Sequence, residues 1–310
     1  MRRMRRFLGE GGGGRLRTLL VLSIVLALAT AVGCAETAVE EPDEGTPPPV
    51  VEEEETTLDR IKSEGVVRVG FANEAPYAYS TPDGKLAGFM PATMEYIFSQ
   101  IGDIRLEGVL TEFSGLIPGL QAGRFDCVGA GLYINAERAE QAIPANPQYT
   151  AAEGMAVLAG NPKGITGYAD LLKDGVKFGT VSGSINLQYA TDAGVAEGDV
   201  VLFPDVPSAL AGLEAGRVDA IGMSVISLRD AMTKSGTTKI VIADPFTAPE
   251  GANAYGAVYF ALGDEELAEL YNAELAKAVE SGKILEILEA QGFGKEMLPP
   301  EGVTSQDLIK

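Results

Sequence analysis

Residues 111–138 read TEFSGLIPGLQAGRFDCVGAGLYINAER. Leu116, Ile117 and Leu120 recur at helical spacing, Gly123 follows as a helix stop, and residues 125–132 form an apolar run that ends at Tyr133. The phrase describes a helix feeding a buried strand. Beyond it, Asn135 is placed to cap a new helix whose first turn carries Arg138, where a cation opposes the helix dipole and needs an anion nearby. In open α/β sheets ligands sit at the carboxyl ends of the strands, which is where Tyr133 and Arg138 fall.

Much of the phrase occurs again. GLQAGRFDCVGAGLY, from Gly119, aligns with GLEAGRVDAIGMSVI, from Gly212. A stacked-repeat protein would show several copies, so two copies suggest two similar α/β lobes. A helix, a Gly-Arg turn and an Asp-led strand is also a common α/β phrase, and a chance recurrence stays open.

Outward from this core, the amino terminus is Arg-rich (MRRMRR), then apolar from Leu19 to Gly33, and reaches a cysteine at Cys34. Residues 1–33 have the layout of a secretory signal, not of a spanning helix. Ala31-Val32-Gly33-Cys34 resembles a bacterial lipobox with Ala in place of the commoner Leu, which implies a lipoprotein signal peptide and lipidation of Cys34. Residues 35–57 hold nine acidic residues, no basic one and four prolines, too little apolar surface to offset ordering entropy. Residues 34–57 are therefore expected to be a lipidated cysteine and a disordered acidic tether.

The formal net charge is −20, and an acidic surface repels nucleic acid and anionic lipid. Cys127, inside the apolar strand, is a small core residue. There is no histidine, which removes the commonest general base and metal ligand, and no nucleophile elbow, P-loop or complete dinucleotide fingerprint. No metal, cofactor or catalytic residue is expected.

The rest of the chain reads as α/β. A capped helix over 57–63 precedes a strand over 66–72, which delivers Asn73, Glu74, Ala75, Pro76 and Tyr77. A turn at Pro82-Asp83-Gly84, a helix over 91–101 and a strand over 105–110 lead to Phe113. Residues 151–158 read as an extended crossover. Strands follow over 176–181, 200–203, 219–223 and 239–243, with a helix over 208–215. Between them Ser182-Gly183-Ser184-Ile185-Asn186 is a turn whose backbone N–H groups can receive an anion. Residues 255–262 return as a second extended run, followed by a helix over 265–281 and another from 284. Two crossovers imply two lobes, a cleft between them and closure by a hinge.

At the strand ends stand one acid, Glu74, three aromatics, Tyr77, Phe113 and Tyr133, and one guanidinium, Arg138. Arg can grip a carboxylate bidentately, and aromatic faces beside a carboxylate suit a delocalised cation, so together they describe a site for a zwitterion. Each has a plainer reading as well: Phe113 and Tyr133 as core, Glu74 as a solvated loop acid, Arg138 as a partner of Glu137 or Glu140.

GVVRVGFANEAPYAY, GVLTEFSGLIPGLQAGRFDCVGAGLYINAER and PSALAGLEAGRVDAIGMS resemble the family-3 extracellular solute-binding proteins of ABC importers, most of all the ectoine/hydroxyectoine-binding branch, over residues 58–298. The resemblance implies a type II periplasmic-binding-protein-like α/β fold. Each lobe would be a mixed sheet flanked by helices, with residues 58–153 starting lobe 1, 154–254 forming lobe 2, and 255–310 holding the return crossover and the lobe 1 C-terminal helices. It implies a non-enzymatic, monomeric receptor outside the cytoplasmic membrane, working with ABC permease and ATPase subunits and touching the membrane through its lipid anchor. Arg138 would hold the ligand carboxylate, Glu74 would accept from a ring N–H, and Tyr77, Phe113 and Tyr133 would form a cage, closed from lobe 2 by Asn186 and the Ile185 backbone. Amino-acid binders of the family carry an acid five residues beyond the Asp of the second strand. Here that residue is Ser224, which argues against an α-amino acid. A polar amino-acid receptor is the alternative, and an enzyme like the cyclohexadienyl dehydratases, with Glu74 as general acid, is a third.

Overall fold

The computed structural model describes residues 55–249, 252 and 254–309. The expected signal peptide, Cys34 and nearly all of the tether lie outside the described residues. Among the described residues, no helix is long and apolar enough to cross a membrane.

Helix α1 (Thr57–Glu64) begins at a capping box between Thr56 and Asp59 and ends on Gly65 in the left-handed region. Strand β1 (Val66–Phe71) leads through a loop to the hairpin β2 (Tyr79–Ser80) and β3 (Leu86–Ala87), which turns at the expected Pro-Asp-Gly. Helix α2 (Phe89–Ile101) starts two residues before the expected position, with Pro91 inside its first turn, and buries Met90, Met94, Ile97 and Phe98. Strand β4 (Arg105–Leu110), helix α3 (Leu116–Gln121), strand β5 (Cys127–Val128), the single turn α4 (Ala136–Ala139) and strand β6 (Ile143–Pro144) follow.

After β7 (Tyr149–Thr150), β8 (Glu153–Leu158) opens the second sheet, which continues with β9 (Phe178–Val181), α5 (Ile185–Asp192), β10 (Val200–Phe203) and α6 (Val206–Glu214). It is completed by β11 (Ala220–Ser224), α7 (Val225–Ser235) and β12 (Ile240–Ile242). The chain returns through β13 (Tyr255–Gly256) and β14 (Tyr259–Phe260) to α8 (Glu265–Glu280), α9 (Lys283–Ala290) and α10 (Ser305–Leu308).

The two five-stranded sheets have matching layouts, β4-β1-β5-β14-β6 and β10-β9-β11-β8-β12. In each, the first three strands and the last run in one direction and only the fourth runs against them. The repeated phrase occupies the same place in both. Asp126 Oδ2 accepts from the Arg68 N–H at 2.8 Å, and Asp219 Oδ2 accepts from the Lys177 N–H at 2.9 Å, so each Asp pins the start of the neighbouring parallel strand. A Cβ on Gly119 would stand 2.6 Å from Phe125 Cζ, and one on Gly212 would stand 2.5 Å from Phe203 Cζ, so each helix rests its glycine on an aromatic ring.

Three expectations are corrected. Residues 153–158 belong to the second sheet because their side chains face two apolar layers, Met155 and Val157 one way and Ala156 the other. The crossover proper is shorter: β7 pairs antiparallel with β13, so the outgoing and returning segments run side by side. The strand expected over 125–132 joins the sheet only at Cys127 and Val128, and Gly131 (φ +78°) then carries the chain over the Tyr77 ring, where a Cβ would come within 2.6 Å. Helix α7, which the sequence reading did not anticipate, is capped by Ser224 and stopped by Gly236 in the left-handed region.

Candidate ligand-binding site

Four strand ends converge on one cavity. The loop after β1 brings Glu74 and Tyr77, held by a bridge between Glu74 and Ala78 and by Asn73, whose side chain accepts from the Ser80 N–H at 2.8 Å. Phe113 begins a short 3-10 turn after β4. Tyr133 and Arg138 follow β5, and Asn135 caps α4 as expected by accepting from the Arg138 N–H at 2.8 Å. From the second lobe, the turn after β9 brings Ser184, Ile185 and Asn186. All seven expected residues, Glu74, Tyr77, Phe113, Tyr133, Arg138, Ile185 and Asn186, line the same cavity, whose free volume is about 30 Å³.

The small volume reflects lobes closed on one another. Ser227 Oγ donates to Glu74 Oε1 at 2.5 Å, Arg138 Nη2 donates to the Gly183 carbonyl at 3.1 Å, and the Lys234 ammonium lies 5.1 Å from the Tyr79 ring centre. A larger groove of about 630 Å³, rimmed by Tyr79, Asp205 and Lys234, opens on the solvent side of the Glu74–Ser227 contact.

Arg138 is buried. Its Nη1 donates to the Tyr133 carbonyl at 2.7 Å, and its guanidinium lies 5.9 Å from the Phe113 ring centre. It pairs with neither Glu137 nor Glu140. The aromatic rings serve core and cavity at once: Tyr77 packs at 5.2 Å on both Phe89 and Tyr149, and Tyr133 at 6.2 Å on Tyr149.

Sequence reasoning missed the second acid. Glu153, the first residue of β8, lines the cavity, and its Oε2 accepts from Asn186 Nδ2 at 2.5 Å, while the same amide donates to the Tyr168 hydroxyl at 2.9 Å. It lies directly across the ladder from Ser224. Its one sequence signal was an acid inside an otherwise apolar run. Burial pushes Glu74 up to about 7; the Ser227 hydrogen bond opposes the rise and the Glu153 charge adds to it. Burial likewise pushes Glu153 up to about 7, opposed by its contact with Asn186. Ser227, on the first turn of the unanticipated α7, was missed with its helix. Among the described residues, no group of three or more potential metal-ligating side chains stands together.

Residues 67–293 match the bacterial extracellular solute-binding proteins, family 3. The chain belongs to that family. The solved structure of EhuB in complex with hydroxyectoine is similar at 33% identity and a TM-score of 0.77, with 83% of this chain and 99% of EhuB covered. A probable amino-acid ABC transporter periplasmic-binding protein, y4tE, of Sinorhizobium fredii is 29% identical over 248 residues, 78% of this chain and 82% of that protein. The L-arginine-binding protein of Pseudomonas aeruginosa is also 29% identical, over 245 residues, 74% of this chain and 89% of that protein. The fold of this family-3 protein is accordingly type II, two mixed sheets flanked by helices, and it is a small-molecule-binding component of ABC transport on the extracytoplasmic side.

Proposed function

We propose that this family-3 protein is a lipid-anchored receptor that closes around ectoine or hydroxyectoine and hands it to an ABC permease. The observation that carries the reading is the convergence of Arg138, Glu74 and the rings of Tyr77, Phe113 and Tyr133 on one cavity that Asn186 and Ile185 close from the other lobe. Arg138 takes the carboxylate, Glu74 takes a ring N–H, and the rings face the delocalised amidinium. The likeness to EhuB supports the same cargo. Cys34 is the proposed point of acylation, and mass spectrometry of the mature protein tests it. Calorimetry with ectoine, hydroxyectoine, glycine betaine and a panel of amino acids tests the cargo; binding of an amino acid without binding of either ectoine overturns it.

A polar amino acid is the second reading, and Glu153 favours it. The serine at 224 argued against an α-amino ligand, yet the facing position on the next strand carries an acid that reaches the same cavity. For the dehydratase-like alternative, Glu74 would act as general acid, with burial pushing both it and Glu153 in the same cavity up to about 7. Turnover of prephenate or arogenate, lost in Glu74→Gln, would establish it.

A further inference from the structure

Glu153 has more capacity than the fold uses. Its side chain is 93% shielded from solvent, its Oε2 is held by Asn186, and its Oε1 is buried with no hydrogen-bond partner. The neighbouring Tyr133 hydroxyl donates to the Ala151 carbonyl at 3.4 Å. A buried carboxylate oxygen without a donor is costly, and the cost is removed by an N–H that arrives with the ligand. Glu74, on the other lobe, lines the same cavity with one oxygen engaged by Ser227. The rings alone would hold any soft cation, including a quaternary ammonium. The acids would not, because a fully alkylated nitrogen has nothing to donate.

Resting on the zwitterion reading above, we propose that Glu153 is a specificity-determining residue that takes a second N–H of the ligand's cationic group, so that the pocket accepts amidinium, guanidinium or ammonium ligands and rejects quaternary ones. The charged and titratable groups around it are Glu74 and Arg138 from the first lobe and the hydroxyls of Tyr133 and Tyr168.

The test is calorimetry on the full protein and on Glu153→Gln with three probes: ectoine, L-arginine and glycine betaine. Gln can still accept from Asn186, so the variant removes the charge while keeping that contact. The N–H cation that binds should lose at least tenfold in affinity in Glu153→Gln, and glycine betaine should bind the unmodified protein at least a hundredfold more weakly than that cation does. A crystal structure of the unmodified protein with the bound probe should put a Glu153 oxygen within hydrogen-bond distance of a ligand nitrogen, a readout that does not depend on the variant folding. Equal binding of glycine betaine, an unchanged affinity in Glu153→Gln, or a ligand nitrogen far from Glu153 overturns the proposal. If L-arginine binds through Glu153 and ectoine does not bind, the proposal stands and the ectoine reading falls. If neither cation binds, both fall.

Discussion

Arg138 shows how one side chain carries both architecture and recognition. It ties the Tyr133 carbonyl of its own lobe to the Gly183 carbonyl of the other, and its guanidinium still faces the cavity. Arg138→Ala is expected to weaken ligand binding by on the order of 3 kcal/mol or more, roughly a hundredfold, whereas Tyr133→Ala should cost about 1 to 2 kcal/mol; titration calorimetry checks both. All seven residues expected from the sequence reach the cavity because each sits in a loop or turn that follows a strand, on the face where strand ends gather. Glu153 was not legible in the same way. It opens a strand rather than ending one, so its place in the cavity depends on how β8 lies beside β11, a long-range pairing that no local pattern encodes.

At the scale of elements, the turn after β9 brings the backbones of the two lobes together. Gly183 has φ +82°, and a Cβ there would stand 2.8 Å from Ser114 Cα, a backbone atom of the opposite lobe that cannot swing aside. Gly183→Ala should leave each lobe folded and prevent full closure through the collision with Ser114, reducing ligand affinity about tenfold, while local backbone strain of about 1 to 3 kcal/mol lowers stability; parallel calorimetry and thermal melts separate the two effects. The helix glycines of the repeated phrase act within a lobe instead. Gly212→Ala should lower stability by about 1 to 3 kcal/mol, because the methyl collides with the Phe203 ring by more than helix propensity recovers, and a denaturant titration reads that loss. The repeat itself was legible as a phrase, and its Asp and Gly now have matched mechanical roles in both copies. Helix α7 carries ordinary cap chemistry at both ends, Ser224 and Gly236, which the sequence shows although its apolar pattern is faint.

At the scale of the whole molecule, closure and protonation are linked. In the closed form Glu74 and Glu153 sit near 7, whereas exposed glutamates stay near 4.5, so closing without a ligand takes up protons between those values. The sign follows: the closed, ligand-free form gains as pH falls from about 7 toward 4.5 and loses as pH rises again. Small-angle scattering of the ligand-free protein should show a smaller radius of gyration at pH 5 than at pH 8, and a radius independent of pH would contradict the linkage. A cationic ligand replaces those protons and should compact the molecule at pH 8 as well. Sheet topology has a separate consequence for how the chain matures. Every strand of the second sheet lies between residues 153 and 242, but the first sheet has β14, from residues 259–260, inserted between β5 and the edge strand β6. A polypeptide delivered amino end first therefore completes its later lobe before its earlier one, and the half that emerges first must wait, one strand short, for the tail to arrive.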